Sequence, residues 1–245
     1  MASIEVDGKS VEVKEGSSIK DALEALGFKI AMFPSQKGFF MPCQTGGCWS
    51  CALEIDGQLM PVCIGTVQKG MRIKTDTSSS PPKRMVGGFM GHHVGGVGTP
   101  WWLCGDWIEV ACFTAGCNFC CPQCQNWRFA YLATGDPLTP PEAAKLMTAT
   151  RRRYAVERIA ISGGEGTLNR RWLIQYLRLL QELNPGARLH DLVDAGMTEI
   201  GIDLKALRLS TFQEGPFIFF SGLSLAVRTA LGTVRLRRGL ICHCI

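Results

Sequence analysis

The N-terminal part of the chain contains short runs in which hydrophobic and polar residues alternate. One pair of runs spans residues 4–13 around Asp7-Gly8, and a second pair spans residues 52–62 around Asp56-Gly57. An Asp-Gly pair between two alternating runs is a strong signal for a β-hairpin. The pattern therefore predicts two hairpins, and residues 71–75 are predicted to form a further short strand.

A short helix is predicted between the two hairpins. Ser18 is a suitable N-cap residue with Asp21 three positions later, and Gly27 is suited to end the helix. The apolar residues between these signals recur at helical spacing and form one face: Ile19, Ala22, Leu23 and Leu26. Strands and helix together predict a small α+β domain over residues 1–76.

The periodicity changes in the second half of the chain, where compact apolar runs alternate with longer amphipathic segments. Predicted strands cover residues 107–113, 158–162 and 199–204, and predicted helices cover residues 139–154, 169–183 and 189–195. This alternation indicates an α/β region with a parallel sheet, which we place at residues 107–207. The preceding residues, 77–106, are rich in glycine and proline and are predicted to form a linker.

Composition limits the class of protein. The 245 residues, of which 46% are hydrophobic, are enough for one large or two modest domains. No apolar run reaches the roughly 18 residues that span a bilayer, and the N-terminus lacks the apolar core of a signal peptide. The net charge of +5 comes with one short basic run, at residues 151–153. We therefore expect a cytoplasmic protein without a nucleic-acid or membrane partner.

Cysteine spacing in the N-terminal domain points to metal chemistry. The chain has 12 cysteines, and without a secretion signal such clusters favour metal ligation over disulfides. Four of them follow the order C-x4-C-x2-C…C: Cys43, Cys48, Cys51 and Cys63. This is the plant-type [2Fe–2S] spacing. Gly46 and Gly47 allow a tight turn with amide donors toward the sulfurs, and a zinc knuckle is the alternative interpretation.

A second cysteine cluster lies in the sequence Gly116-Cys-Asn-Phe-Cys-Cys-Pro-Gln-Cys. Cys117, Cys121 and Cys124 stand in the order C-x3-C-x2-C. Three thiolates can hold three irons of a [4Fe–4S] cube, which leaves the fourth iron able to bind a small molecule. A closed zinc site with Cys120 as the fourth ligand is the alternative interpretation.

Together with Ile161-Ser-Gly-Gly-Glu165, the second cluster resembles the radical S-adenosylmethionine (SAM) superfamily. The similarity is to the activating enzymes of glycyl-radical enzymes and their relatives. The resemblance implies a (β/α) barrel in which the open iron chelates the methionine end of SAM. One electron then cleaves SAM to a 5′-deoxyadenosyl radical. The N-terminal domain is similar to the β-grasp ferredoxins, in which Cys63 corresponds to the common fourth cysteine on a returning strand.

The resemblance also implies roles for residues outside the cysteines. Gly163 and Gly164 would meet the SAM amino group through their backbone, and Glu165 would orient the methionine end. Asn169 would either contact SAM or cap the following helix. Asp203 and Lys205 match an Asp-x-Lys strand end that lies near the SAM carboxylate in the relatives. Three positions depart from the family pattern: Cys120, Gln123 and Gly166.

Other candidate residues lack a ligand spacing. His92 and His93 lie among glycines and could contact a cluster or a substrate, or have a structural role. Cys104 and Cys112 are interpreted as free buried thiols. Chemistry in parallel α/β folds sits at the carboxyl ends of strands. The cysteine loop after residue 113, the Gly-Gly-Glu segment and the Asp203/Lys205 pair all lie at the carboxyl ends of predicted strands, so we expect one shared site.

The predicted function is reductive cleavage of SAM at a four-iron centre, with a two-iron domain in the same chain supplying the electron. An external donor of ferredoxin or flavodoxin type would feed that domain, and the substrate is an unidentified small molecule or protein. Only part of a barrel is recognisable over residues 107–207, and residues 208–245 form a divergent tail that suggests truncation or a disrupted reading frame. The alternative function is therefore a non-catalytic iron–sulfur electron carrier with an incomplete barrel.

Overall fold

The computed structural model describes residues 1–33, 35–93, 102, 106–119, 121–122 and 124–185. These residues form a mixed α/β structure with two main sheets and four α-helices. None of the helices in the described ranges is long and apolar enough to cross a membrane. The expected elements at residues 189–195 and 199–204, and the tail over residues 208–245, lie outside the described residues.

The N-terminal sheet has five strands, and two hairpins supply four of them. Its strands are β1 (Ala2–Val6), β2 (Lys9–Val13), β5 (Ala52–Ile55), β6 (Gln58–Pro61) and β7 (Arg72–Lys74), and a separate parallel pair is formed by β3 (Ile30–Ala31) and β4 (Phe39–Phe40). The sheet order is β2-β1-β7-β5-β6. β1 pairs antiparallel with β2, and β5 pairs antiparallel with β6, so both predicted hairpins are confirmed.

Helix α1 (Ile19–Ala25) packs across this sheet and begins as the sequence predicts. The Ser18 hydroxyl oxygen accepts a hydrogen bond from the Asp21 backbone N–H at 2.9 Å, which satisfies a donor that the first helical turn leaves free. Gly27 follows the helix with a φ of +90°, a conformation that costs glycine little. Ile19, Ala22 and Leu23 are buried in the core with the hairpin residues.

The second sheet is mixed, which corrects the expectation of a parallel sheet. Its strands are β8 (Arg84–His93), β9 (Trp107–Thr114), β10 (Asp136–Leu138) and β11 (Arg158–Gly163), in the order β10-β8-β9-β11. Only β9 and β11 run parallel; β8 is antiparallel to both of its neighbours. The parallel pair has a helical crossover between its strands, as parallel neighbours require, whereas β8 and β9 follow each other along the chain.

Strand β8 also corrects the expectation of a linker over residues 77–106. Ten of those residues form a central strand, although they include three glycines. The high glycine content of residues 77–106 is the reason why the sequence predicts a loop there. Two of these glycines make room for aromatic rings, since a Cβ at Gly87 would overlap Phe129 and one at Gly91 would meet Trp107. The domain boundaries proposed from the sequence stay predictions.

Helices α3 (Pro140–Tyr154) and α4 (Arg170–Leu183) pack together against the second sheet, and the short α2 (Trp127–Ala130) follows the second cysteine loop. Both long helices lie where the sequence predicts them. A capping box starts α3, with Thr139 and Glu142 each binding the other's backbone N–H. The side chains buried between the helices and the sheet are Val110, Cys112, Met147, Trp172, Tyr176 and Leu180.

Candidate metal centre

The four cysteines of the first group converge in the N-terminal domain. Cys43, Cys48 and Cys51 are buried on or beside one loop, and Cys63 is half-buried on the 3-10 turn Val62–Ile64. A hydrogen bond from the Cys48 thiol lowers the pKa of Cys43, and the same bond raises the pKa of Cys48. Cys63 contacts both Cys43 and Cys51 in the same way. The structure thus brings all four expected ligands into one group of neighbouring thiols.

The loop around these thiols offers buried donors as well. Gln44 and Trp49 have φ angles of +52° and +60°, so the backbone turns tightly between the cysteines. Within the described residues, Thr45 Oγ1 and Trp49 Nε1 are buried without a hydrogen-bond partner. Buried polar groups normally have partners, and cluster sulfurs are acceptors for such donors. The donor set therefore fits a thiolate-bound cluster. In the same ranges, no three His, Cys, Asp or Glu side chains are spaced to hold a single metal ion.

The second cysteine group follows strand β9 directly. Cys117, Cys121 and Cys124 are all half-buried. Burial raises the pKa of Cys117 to about 11, and the charges of Glu165, Cys121 and Cys124 act in the same direction, so the three thiols are near neighbours. Their loop is held by a backbone bond from Cys124 N to Cys121 O at 3.2 Å. Three neighbouring thiolates fit a four-iron cube with one iron lacking a protein ligand. The departures Cys120 and Gln123 lie outside the described residues.

The Gly-Gly-Glu segment lies against this second loop. Gly163 pairs with Thr114 in the last register of β11 and β9, and the Gly164 N–H donates to Thr114 O at 2.7 Å. The Glu165 N–H donates to Gly116 O at 3.0 Å. A Cβ at Gly164 would overlap Gly116 O, so this close approach requires glycine. The carboxyl ends of the parallel strands therefore bring the two segments of the predicted site together.

Asn169 and Glu165 use their side chains locally. Asn169 Oδ1 accepts from the Trp172 N–H at 3.1 Å, so of its two expected roles the structure shows the helix cap. Its Nδ2 donates to Cys48 O at 2.9 Å and to Lys83 O at 3.0 Å. Glu165 Oε1 accepts from the Thr167 N–H at 2.9 Å. Asp203 and Lys205 lie outside the described residues.

The two cysteine loops touch each other, which sequence reasoning did not anticipate. A Cβ at Gly47 would overlap Gly116 N, and a Cβ at Gly116 would overlap the backbone N of Cys48. The Met85 N–H from β8 donates to Gly47 O at 3.1 Å. Cys48 of the first group and Cys117 of the second are thus separated by one backbone contact. The sequence contains one indication of this contact, since a glycine directly precedes one cysteine of each group: Gly47 before Cys48, and Gly116 before Cys117.

A buried arginine lies at the same junction and was also missed. Arg84 is fully buried; its guanidinium donates to Ala115 O at 3.1 Å, to Glu165 O at 2.6 Å and to Gly166 O. Burial lowers the pKa of Arg84, and Cys48 is the largest of the influences that act in the opposite direction. No carboxylate in the described ranges forms a salt bridge with it. Arg84 lies within residues 77–106, which the sequence predicts as a linker, so no motif pointed to it.

The histidines and the remaining thiol lie away from the loops. His92 Nδ1 is 2.9 Å from Glu109 Oε1, and the His93 ring stacks on Trp107. Both histidines pair with the first residues of β9, at the end of that strand that is remote from the cysteine loop. The structure thus shows structural roles for both. Cys112 is a free buried thiol as expected, and burial raises its pKa to about 12. Cys104 lies outside the described residues.

Comparisons with known families agree with this donor chemistry. Residues 1–78 match a family described as a 2Fe-2S iron-sulfur cluster binding domain. Residues 103–192 match a family described as a 4Fe-4S single cluster domain. No curated protein matches the chain. The class of protein that follows is an iron–sulfur protein with one domain for each of two cluster types. The matches therefore favour iron–sulfur clusters over zinc in both cysteine groups.

Proposed function

We propose that this chain is a radical SAM protein in which a two-iron domain supplies the electron for SAM cleavage. The observation that carries the proposal is the backbone bonding of Gly164 and Glu165 to Thr114 and Gly116, which lead into the loop of Cys117. A cube held by three cysteines leaves one iron without a protein ligand, and SAM bound there would also need residues for the rest of the molecule. The closeness of the Gly-Gly-Glu segment to this loop supports that role for it.

Each part of the proposed site has a distinct task. Cys117, Cys121 and Cys124 would hold the four-iron centre, which when bound supplies the single electron that cleaves the sulfonium. Backbone groups of the Gly-Gly-Glu segment would orient the amino group of SAM. Glu165 already accepts bonds from Thr167, which fixes the direction of its carboxylate beside the loop. Asp203 and Lys205 remain candidates for the carboxylate end of SAM.

The contact between the loops supports electron delivery within the chain. Cys48 and Cys117 each adjoin the Gly47–Gly116 contact, so the electron would pass between two neighbouring loops instead of waiting for a diffusive encounter. A ferredoxin- or flavodoxin-type protein would reduce the first centre. The substrate of the radical would be a small molecule or a protein; the described residues favour neither.

The test is anaerobic release of 5′-deoxyadenosine from SAM by the full chain carrying both reconstituted clusters. Reduced protein should release it, and Cys121→Ala should abolish both this product and the EPR signal of the four-iron centre. The matched control is Cys112→Ala, which removes a buried thiol outside both loops and should retain both.

Two outcomes would count against the proposal. Intact EPR signals from both centres without any 5′-deoxyadenosine would show a non-catalytic electron carrier instead. Undiminished release of the product by Cys121→Ala, with the four-iron signal lost, would show that the cysteine triad does not carry the reaction.

A further inference from the structure

A single buried guanidinium lies where the two cysteine loops meet. Arg84 is 0% exposed, and all three of its hydrogen bonds go to backbone carbonyl oxygens. An arginine side chain keeps its charge in proteins. Neutral carbonyls solvate that charge without balancing it, and a buried charge without a counter-charge is costly. The fold therefore needs negative charge near this position.

The first centre is a source of negative charge once its thiolates hold a cluster, and the residues on either side of Arg84 are bonded to its loop. The Met85 N–H donates to Gly47 O at 3.1 Å, and Asn169 Nδ2 donates to both Lys83 O and Cys48 O. Among the groups that raise the pKa of Arg84, Cys48 comes first, followed by Cys112, Glu165 and Cys43. The Glu165 carboxylate already accepts bonds from Thr167. In the described ranges, Cys48 thus influences the guanidinium more than any carboxylate does.

We propose that Arg84 sets the reduction potential of the two-iron centre by stabilising its reduced state. Reduction adds one negative charge to a centre that is already anionic, and a fixed positive charge nearby favours that step. The charge lies on the side of the centre that faces the second cysteine loop, because Arg84 also binds the carbonyl of Ala115, two residues before Cys117. The inference requires a two-iron centre in the first loop and does not depend on SAM cleavage.

The size of the effect follows from Coulomb's law. Two unit charges about 10 Å apart, in a medium with an effective dielectric constant of about 20, change an equilibrium constant by on the order of tenfold. For a one-electron couple, a tenfold change corresponds to about 59 mV. Burial keeps the guanidinium from being screened by salt, so the effect should persist at physiological ionic strength.

The experiment is a redox titration of the reconstituted full chain, followed through the EPR signal of the reduced two-iron centre. Arg84→Met should lower the equilibrium constant for reduction about tenfold, for the electrostatic reason given above. Arg84→Lys keeps the charge and should stay close to the unmodified protein. Arg171→Met is the matched control, because Arg171 also donates to two backbone carbonyls, those of Thr77 and Ser78, but is exposed and screened.

Each result decides the question. An unchanged potential in Arg84→Met, or equal shifts in the Met and Lys variants, would overturn the proposal, because the charge would then not matter. Arg84→Gln serves as a second neutral variant. If neither neutral variant assembles the centre while Arg84→Lys does, the charge is needed already for assembly, which supports the proposal. If Arg84→Lys also fails to assemble it, the role is one of shape, and the proposal is wrong.

Discussion

Individual glycines in strand β8 are explained by aromatic side chains that pack against them. A Cβ at Gly87 would overlap the Phe129 ring, and a Cβ at Gly91 would lie 2.5 Å from Trp107 Cε3 and 2.8 Å from Tyr154 Cε1. Phe129 in turn contacts Phe113 of β9 with ring centroids 5.3 Å apart. The absence of a side chain at Gly87 and Gly91 is therefore a packing requirement of the neighbouring rings.

Gly87→Ala should destabilise the protein. The added methyl group would force the Phe129 ring of helix α2 away from the strand, and overpacking of this kind costs about 1–3 kcal/mol. The measurement is the free energy of unfolding from anaerobic denaturant titration. The double variant Gly87→Ala with Phe129→Leu should recover part of the loss, because the smaller side chain leaves room for the methyl group. Equal destabilisation in the single and double variants would contradict this explanation.

At the scale of single elements, local signals placed the helices correctly. Helix α3 starts with Thr139 and Glu142 binding each other's backbone N–H groups, and Asn169 caps α4. These contacts lie within four residues along the chain, so they need no tertiary information. Strand β8 shows the opposite case, because its pairing partners, β9 and β10, lie at least 14 residues further along the chain.

Thr139→Ala should weaken helix α3. The variant loses the hydroxyl that accepts from the third helical N–H, and loss of an N-cap costs about 1 kcal/mol. The matched control is Thr150→Ala in the same helix, whose hydroxyl only donates to the Leu146 carbonyl four residues back. That control should be neutral or slightly stabilising, since alanine favours helix more than threonine does. The midpoints of denaturant unfolding compare the two variants, and equal losses would refute the capping role.

For the whole molecule, the junction between the two sheets decides how the cysteine groups relate. Besides the contact between Gly47 and Gly116, it contains polar bonds and the packing of Leu168 against Cys43 and Cys48. Asn169 donates to Cys48 O, and the Ser50 hydroxyl donates to Leu168 O at 2.6 Å. These bonds join the first cysteine loop to the segment that follows Glu165.

Gly47→Ala should slow reduction of the four-iron centre by the two-iron centre. The added Cβ would overlap Gly116 N and push the loops apart, while the four cysteines of the first group stay in place. The measurement is freeze-quench EPR after rapid reduction of the first centre. We expect a slower rise of the four-iron signal with the two-iron spectrum retained.

Gly65→Ala provides the control for this experiment. A Cβ at Gly65 would meet only the end of the flexible Ile19 side chain, so the loops should keep their contact and the rate should not change. An unchanged rate in Gly47→Ala would show that the electron does not cross at this contact.

The sequence by itself determined those features that depend on neighbouring residues. It placed both hairpins, helices α1, α3 and α4, and strands β9 and β11, because alternation, helical spacing and caps are local signals. It also identified both cysteine groups, since ligand spacing on a loop is local, and the two family matches agree with the cluster types. The partial barrel, the domain boundaries, SAM binding and a cytoplasmic location remain predictions.

Only the tertiary structure decided the features that join distant parts of the chain. Strand β8 is stable because its backbone pairs on both sides, and its glycines fit rings from other elements. The contact between Gly47 and Gly116, and the buried position of Arg84, depend on residues about 30 to 80 positions apart along the chain. No local pattern encodes such contacts, because they form only when elements that are distant along the chain pack together.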